Sequence, residues 1–161
     1  MPVIFTRQTS EKTHELRSAF KHDNVTRDFL IFLLENGYLD RLEGLFNPER
    51  LRKGKVPKGF DIHHIIPLSG GGSNSLSNLC LIEKSFHKFL NRRCFDPALK
   101  NIQEGETVQI DIPDLPPVAL YSDFKPFIHS ILSKRERHAS FRRIILRPLL
   151  IHIPFFKDWQ K

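Results

Sequence analysis

A chain of 161 residues and 18.8 kDa with 40% hydrophobic residues suffices for one folded domain and is too apolar to be wholly disordered. Its 25 Lys+Arg against 18 acidic residues leave a formal charge of +7, which favours a polyanionic partner, either nucleic acid or an anionic membrane surface. Two cysteines, Cys80 and Cys94, without C-x-x-C spacing exclude a disulfide scaffold and a four-cysteine zinc ribbon. No apolar run reaches the roughly 18–20 residues of a membrane span. The first residues lack the basic-then-apolar order of a secretory signal, so the expectation is a cytoplasmic protein.

In chain order, residues 1–57 read as a mostly helical region. Thr9 or Ser10 is placed to cap a helix through Leu16 and Phe20, with Glu11 in its first turn. Asn24 or Thr26 can cap a second helix through Phe29, Leu30, Phe32, Leu33 and Leu34, with Gly37 as the residue past its end. Leu39, Leu42, Leu45 and Phe46 recur at helical spacing and predict a short third helix ending before Pro48. Residues 58–93 read as strand, loop, strand, helix: Gly59–Pro67, a turn-rich stretch with Gly70, Gly71 and Gly72, Asn78–Ile82, and a helix from Glu83 to Arg93. Residues 94–161 form a C-terminal extension of mixed strand and helix. Val108, Ile110 and Ile112 alternate as on a strand, and Asp123 can cap a helix through Phe127, Ile131 and Leu132. From Ser133 onward, eight Lys/Arg against two acids concentrate most of the net charge in the tail. The fold class expected is α+β, with the three regions forming one compact unit.

The chemistry is concentrated in the middle region. Two adjacent histidines at a strand end, His63 and His64, can divide labour, one toward a metal and one toward substrate. His87 and Asn91 lie four apart on a predicted helix, share a face, and can close on the same ion. The amide of Asn78 can pin the backbone of the glycine loop. Imidazole plus amide oxygen makes an incomplete coordination shell with room for water and a phosphate oxygen.

This segment, roughly Val56 to Arg92, resembles the HNH nuclease motif, the ββα-metal or His-Me finger site. The resemblance rests on Asp61-Ile62-His63-His64-Ile65-Ile66-Pro67, then Gly70-Gly71-Gly72, Asn78-Leu79 and His87 in that order. It implies a ββα-metal centre that hydrolyses phosphodiester bonds of DNA rather than RNA. It further implies that His63 is the first metal ligand, His64 the general base, and His87 the final motif ligand, while Asn78 holds the loop and the base in place. Asn91 falls where some members carry a further ligand, often His, and reads equally as a cap or surface residue. One divalent ion is implied, Mg²⁺ first, with Mn²⁺, Ni²⁺ or Zn²⁺ as alternatives. The flanking cysteine pairs that support the fold in many members are missing here.

Around the motif, Arg50, Arg52, Lys53, Lys55 and Lys58, together with Arg92 and Arg93, are candidate phosphate contacts, or else part of a solvated charged linker. Asp61 is left without a role. His14, His22, His129, His138 and His152 fit no ligand spacing. The basic tail reads as a DNA-contacting helix, a membrane-surface segment or an ordinary packed helix. Rival readings are a binding module on the same fold that does not cut, and a membrane-directed effector. A toxin using the same chemistry would need an immunity protein as partner.

Overall fold

A computed structural model describes residues 2–42, 44 and 46–133. It divides into two units, Met1–Asp123 and Phe124–Lys161. The basic tail lies outside the described residues; of the second unit, residues 125–133 form a helix.

The first unit opens with strand β1 (Pro2–Thr6), which pairs antiparallel with β4 (Thr107–Asp111), Pro2 opposite Asp111 and Thr6 opposite Thr107. Helix α1 (Ser10–His22) follows, capped by Thr9, whose hydroxyl accepts the Lys12 N–H at 3.1 Å. Helix α2 (Val25–Glu35) starts after Asn24, and Gly37 follows its end with φ +68. Its stripe of Phe29, Leu30 and Leu33 is fully buried.

The expected third helix ending before Pro48 is corrected. Asp40–Leu42 is a single 3-10 turn, and α3 (Pro48–Arg52) begins at the proline instead. Pro48 occupies the first helical turn, where a missing N–H costs nothing, and the Asn47 side chain accepts from the N–H groups of Glu49 and Arg50 at 2.9 and 3.3 Å. The apolar spacing read there as helix instead supplies Leu39 and Leu42 to the core.

The centre is a ββα unit: β2 (Phe60–His64), antiparallel β3 (Leu79–Glu83), and α4 (Lys84–Leu90). A short β5 (Val118–Ala119) adds parallel to β3, giving the order β2-β3-β5. Leu79 and Leu81 face α2 and join Phe29, Leu30, Leu33, Leu51 and Val118 in one apolar cluster, with Phe60 and Ile62 packed against it. Period-two alternation sends Asp61 and His63 to the opposite face, toward α4. There Phe86 and Leu90 are fully buried, so His87 and Asn91, one residue further on, lie beside that buried stripe.

The helix expected from Glu83 to Arg93 runs on past that point. A π-helical turn (Asn91–Phe95) follows α4 and leads into α5 (Asp96–Lys100). The wider turn carries Phe95 onto His63, with ring centroids 5.3 Å apart and planes at 22°.

Candidate functional site

His63 and His64 are neighbours on one strand and should point to opposite faces; the strand end resolves this. His64 is the last residue of β2, and its ring turns toward α1, 4.9 Å from the Phe20 ring. His63 points to the α4 side, where its ring centroid is 4.8 Å from that of His87. Where the strand ends both rings reach one cleft of about 380 Å³, which His87 and Asn91 also line. The cleft therefore brings together His63, His64, His87 and Asn91, the four side chains read from the sequence as base and ligands.

The loop that borders the cleft through Pro67, Leu68 and Ser69 is held by Asn78. Its side-chain oxygen accepts the Ile66 N–H at 2.8 Å, and its amide donates to the carbonyls of Ile66 at 3.0 Å and Ser73 at 2.8 Å. Every one of these bonds goes to loop backbone and none to His64, so Asn78 clamps the loop from both ends. The three glycines follow in the same loop. Gly71 has φ +95, a left-handed conformation that favours glycine. A Cβ on Gly72 would lie 1.8 Å from the Ile66 carbonyl oxygen, and one on Gly70 would press on the Phe5 ring at 3.3 Å.

His64 is held by Asn74, which the sequence reading passed over. The Asn74 amide donates to the Leu16 carbonyl of α1 at 2.9 Å, and a carbonyl can only accept. The Asn74 oxygen must then be the atom that faces His64 Nε2 at 2.9 Å, so Nε2 carries the proton. In neutral His64 the free lone pair is therefore on Nδ1. Burial lowers the His64 pKa, and the bond to Asn74 partly opposes that.

His63 is 4% exposed, and its Nε2 is a buried polar atom without a hydrogen-bond partner. Burial first, then the nearby His87 and His64, push its pKa down to about 3, so it is a neutral donor at neutral pH. His87 Nδ1 lies 3.0 Å from the Asp61 carboxylate. A carboxylate accepting from Nδ1–H fixes the tautomer and leaves Nε2 as the lone-pair atom. Asp61, unassigned from sequence, is thus the orienter of His87. Its signal was alternation: two residues before His63, it shares that face.

These donors fit a divalent ion: an orphaned imidazole nitrogen, a second imidazole turned by a carboxylate, and an amide one helical turn on. Among the described residues no set of three or more His, Cys, Asp or Glu side chains converges as a ligand group. Two imidazoles and one amide as the protein donors would leave positions for water and substrate oxygens.

Of the basic residues named from sequence, Arg92 and Arg93 sit on the π-helical turn just past Asn91. Lys55 and Lys58 line a different cleft, with Phe46 and Arg50. Arg17 and Lys21 of α1 do line the histidine cleft. They were missed because their spacing of four on a helix has meaning only once that face is known to look at the site.

A ββα unit with its histidines gathered at one strand end, an asparagine-clamped glycine loop and a last donor pair on the helix defines a class. Residues 51–88 match the family model for HNH endonuclease, and the match identifies an HNH domain in this segment. The chain is 37% identical over 110 residues to the Uncharacterized protein YhhZ of Escherichia coli (strain K12), an alignment covering 65% of this chain and 26% of the relative. The chain thus spans about a quarter of that relative's length. No solved structure matches it. No helix among the described residues is long and apolar enough to cross a membrane.

Proposed function

We propose that this chain is a metal-dependent endonuclease that hydrolyses phosphodiester bonds of DNA. The observation that carries the reading is the single cleft lined by His63, His64, His87 and Asn91. His63 Nε2, His87 Nε2 and the Asn91 amide oxygen would hold one divalent ion, Mg²⁺ in the first instance. When bound, that ion supplies a Lewis acid beside the scissile phosphate and its leaving oxygen. Asp61 keeps the His87 ring turned for this purpose.

His64 acts as general base through Nδ1, taking a proton from an attacking water while Nε2–H stays on Asn74. Its lowered pKa keeps the ring neutral and ready to accept at neutral pH. Asn78 is a positioning residue: it holds the loop that carries Asn74, and through it His64. Arg92 and Arg93, beside Asn91, are assigned to the DNA backbone, and Lys55 and Lys58 to flanking phosphates further from the cleft.

The test is supercoiled plasmid incubated with the protein and Mg²⁺, Mn²⁺, Ni²⁺ or Zn²⁺, beside EDTA and His64→Ala controls. The expected outcome is metal-dependent nicking or linearisation, abolished by EDTA and slowed about 10²–10⁴-fold by His64→Ala. Calorimetric titration should show that His64→Ala still binds the metal. A retarded but uncut plasmid with every metal would replace this reading with a binding module that does not cut.

A further inference from the structure

The histidine cleft has a second depression beside it. Lys21 lines both: on one side it looks at the histidines with Arg17, and on the other it borders an open depression of about 510 Å³. That depression lies over the α1–α2 corner and the end of α3, and its lining includes His22, Asp23, Arg27, Arg52 and Lys53. Among the described residues no Phe, Tyr, Trp, Leu, Ile, Val or Met side chain lines it.

Its positive charges are brought together by a close backbone approach. Gly54 follows α3 with φ +73, and a Cβ there would lie 3.3 Å from the Arg27 Cβ. The glycine lets the end of α3, with Arg52 and Lys53, settle against the start of α2. Like charges gathered this way repel, so the arrangement suits an anion more than the isolated chain.

The counter-charges are weakly held. Arg27 pairs with Asp28 at 3.3 Å and Arg52 with Glu49 at 3.0 Å, all with exposed side chains. Such surface pairs contribute little and exchange readily for phosphate. Among the described residues Arg17, Lys21 and Lys53 have no ion pair. Asp23 is the one acid lining the depression.

We propose that Arg17, Lys21, Arg27, Arg52 and Lys53 form a phosphate track that holds duplex DNA where it leaves the histidine cleft. The proposal rests on the nuclease reading only for the place of the scissile phosphate. A polar lining without Phe, Tyr or Trp suits backbone contact rather than base stacking. It lacks the apolar face that a membrane-surface site requires. Binding through the track is therefore independent of base sequence and strongly dependent on salt.

The experiment measures anisotropy of a labelled duplex in EDTA over a salt series, with the full chain. The variants are Lys21→Gln/Lys53→Gln and, as a charge-matched control away from both clefts, Lys12→Gln/Lys100→Gln. Each lost phosphate contact should reduce the slope of log K against log salt by about 0.9, which is about eightfold in affinity near roughly 0.1 M salt. The track variant should therefore bind some 60-fold more weakly by the same rule, with an unchanged thermal melt, and the control should stay within about twofold of the parent. Equal losses in both variants, or none in the track variant, would overturn the track. So would absence of DNA binding by the parent chain. Parent protein that binds through the track yet cuts with no metal would overturn the nuclease reading and leave the track standing; plasmid cleavage with normal binding by the track variant would do the reverse.

Discussion

Asn74 does for His64 what Asp61 does for His87: it sets which ring nitrogen carries the proton. The logic runs through a single backbone carbonyl, that of Leu16, which orients the Asn74 amide and so obliges its oxygen to face the ring. Asn74→Ala should leave His64 free to exchange tautomers. Long-range ¹⁵N–¹H spectra of the imidazoles should show Nε2–H in the parent and a mixture in the variant. Cleavage should fall about 10–100-fold, the usual loss when the partner that orients a site imidazole is removed. An unchanged tautomer in Asn74→Ala would show that burial beside Phe20 alone orients the ring. His63, His64 and His87 were legible in the sequence because the motif fixes them at short, ordered separations. Asn74 was not: it is one polar residue among several in a serine-rich loop, and its partner lies 58 residues away.

At the level of elements, the β1–β4 ribbon supports the glycine loop from outside the ββα unit. Phe5 of β1 is fully buried, its ring lies against Gly70, and its centroid is 5.6 Å from that of Phe95. The Gln8 N–H donates to the Ser69 carbonyl at 2.9 Å and ties the same loop to the β1–α1 junction. Phe95 in turn stacks on His63, so one aromatic chain links the ribbon to the site. Phe5→Ala should cost about 3–5 kcal/mol, read by urea denaturation, and should lower cleavage through a loosened loop. A loss well below 1 kcal/mol would mean that the ribbon does not brace the site. The strand at Pro2–Thr6 was not foreseen because its partner is β4, about a hundred residues on, and five residues of mixed polarity carry no decisive period. The helix after Pro48 was misplaced for a different reason: apolar spacing of three and four also describes residues that enter the core from a turn.

Across the first unit, the cost of the site is a buried imidazole that does not titrate in the normal range. In the unfolded chain His63 has the ordinary pKa of 6.5, whereas in the folded protein it is about 3. Between those values the unfolded state binds a proton that the folded state refuses, so stability rises with pH across the window. The contribution is fully present above pH 6.5 and is lost on acidification, by up to about 1.4 kcal/mol per pH unit for this one proton. The His64 pKa moves in the same direction. The melting temperature of metal-free protein should therefore fall as pH drops below 6.5, and His63→Leu should flatten the dependence between pH 6.5 and 4. An identical slope in the variant would assign the acid sensitivity to other groups.

What the sequence determined by itself was local chemistry. Strand alternation, the four-residue spacing of His87 and Asn91 and the order His-His, Pro, Gly-Gly-Gly, Asn, His are short-range patterns, and short-range patterns survive without knowledge of the fold. Tertiary structure decided the rest. It joined β1 to β4, placed Asn74 between Leu16 and His64, and set Asp61 on His87. It turned Arg17 and Lys21 toward the histidines and packed Gly54 on Arg27. Each of these is a contact between residues far apart in the chain, favoured by burial of apolar side chains, those of α2 and β3 in one cluster and Phe5 of β1 against Phe95.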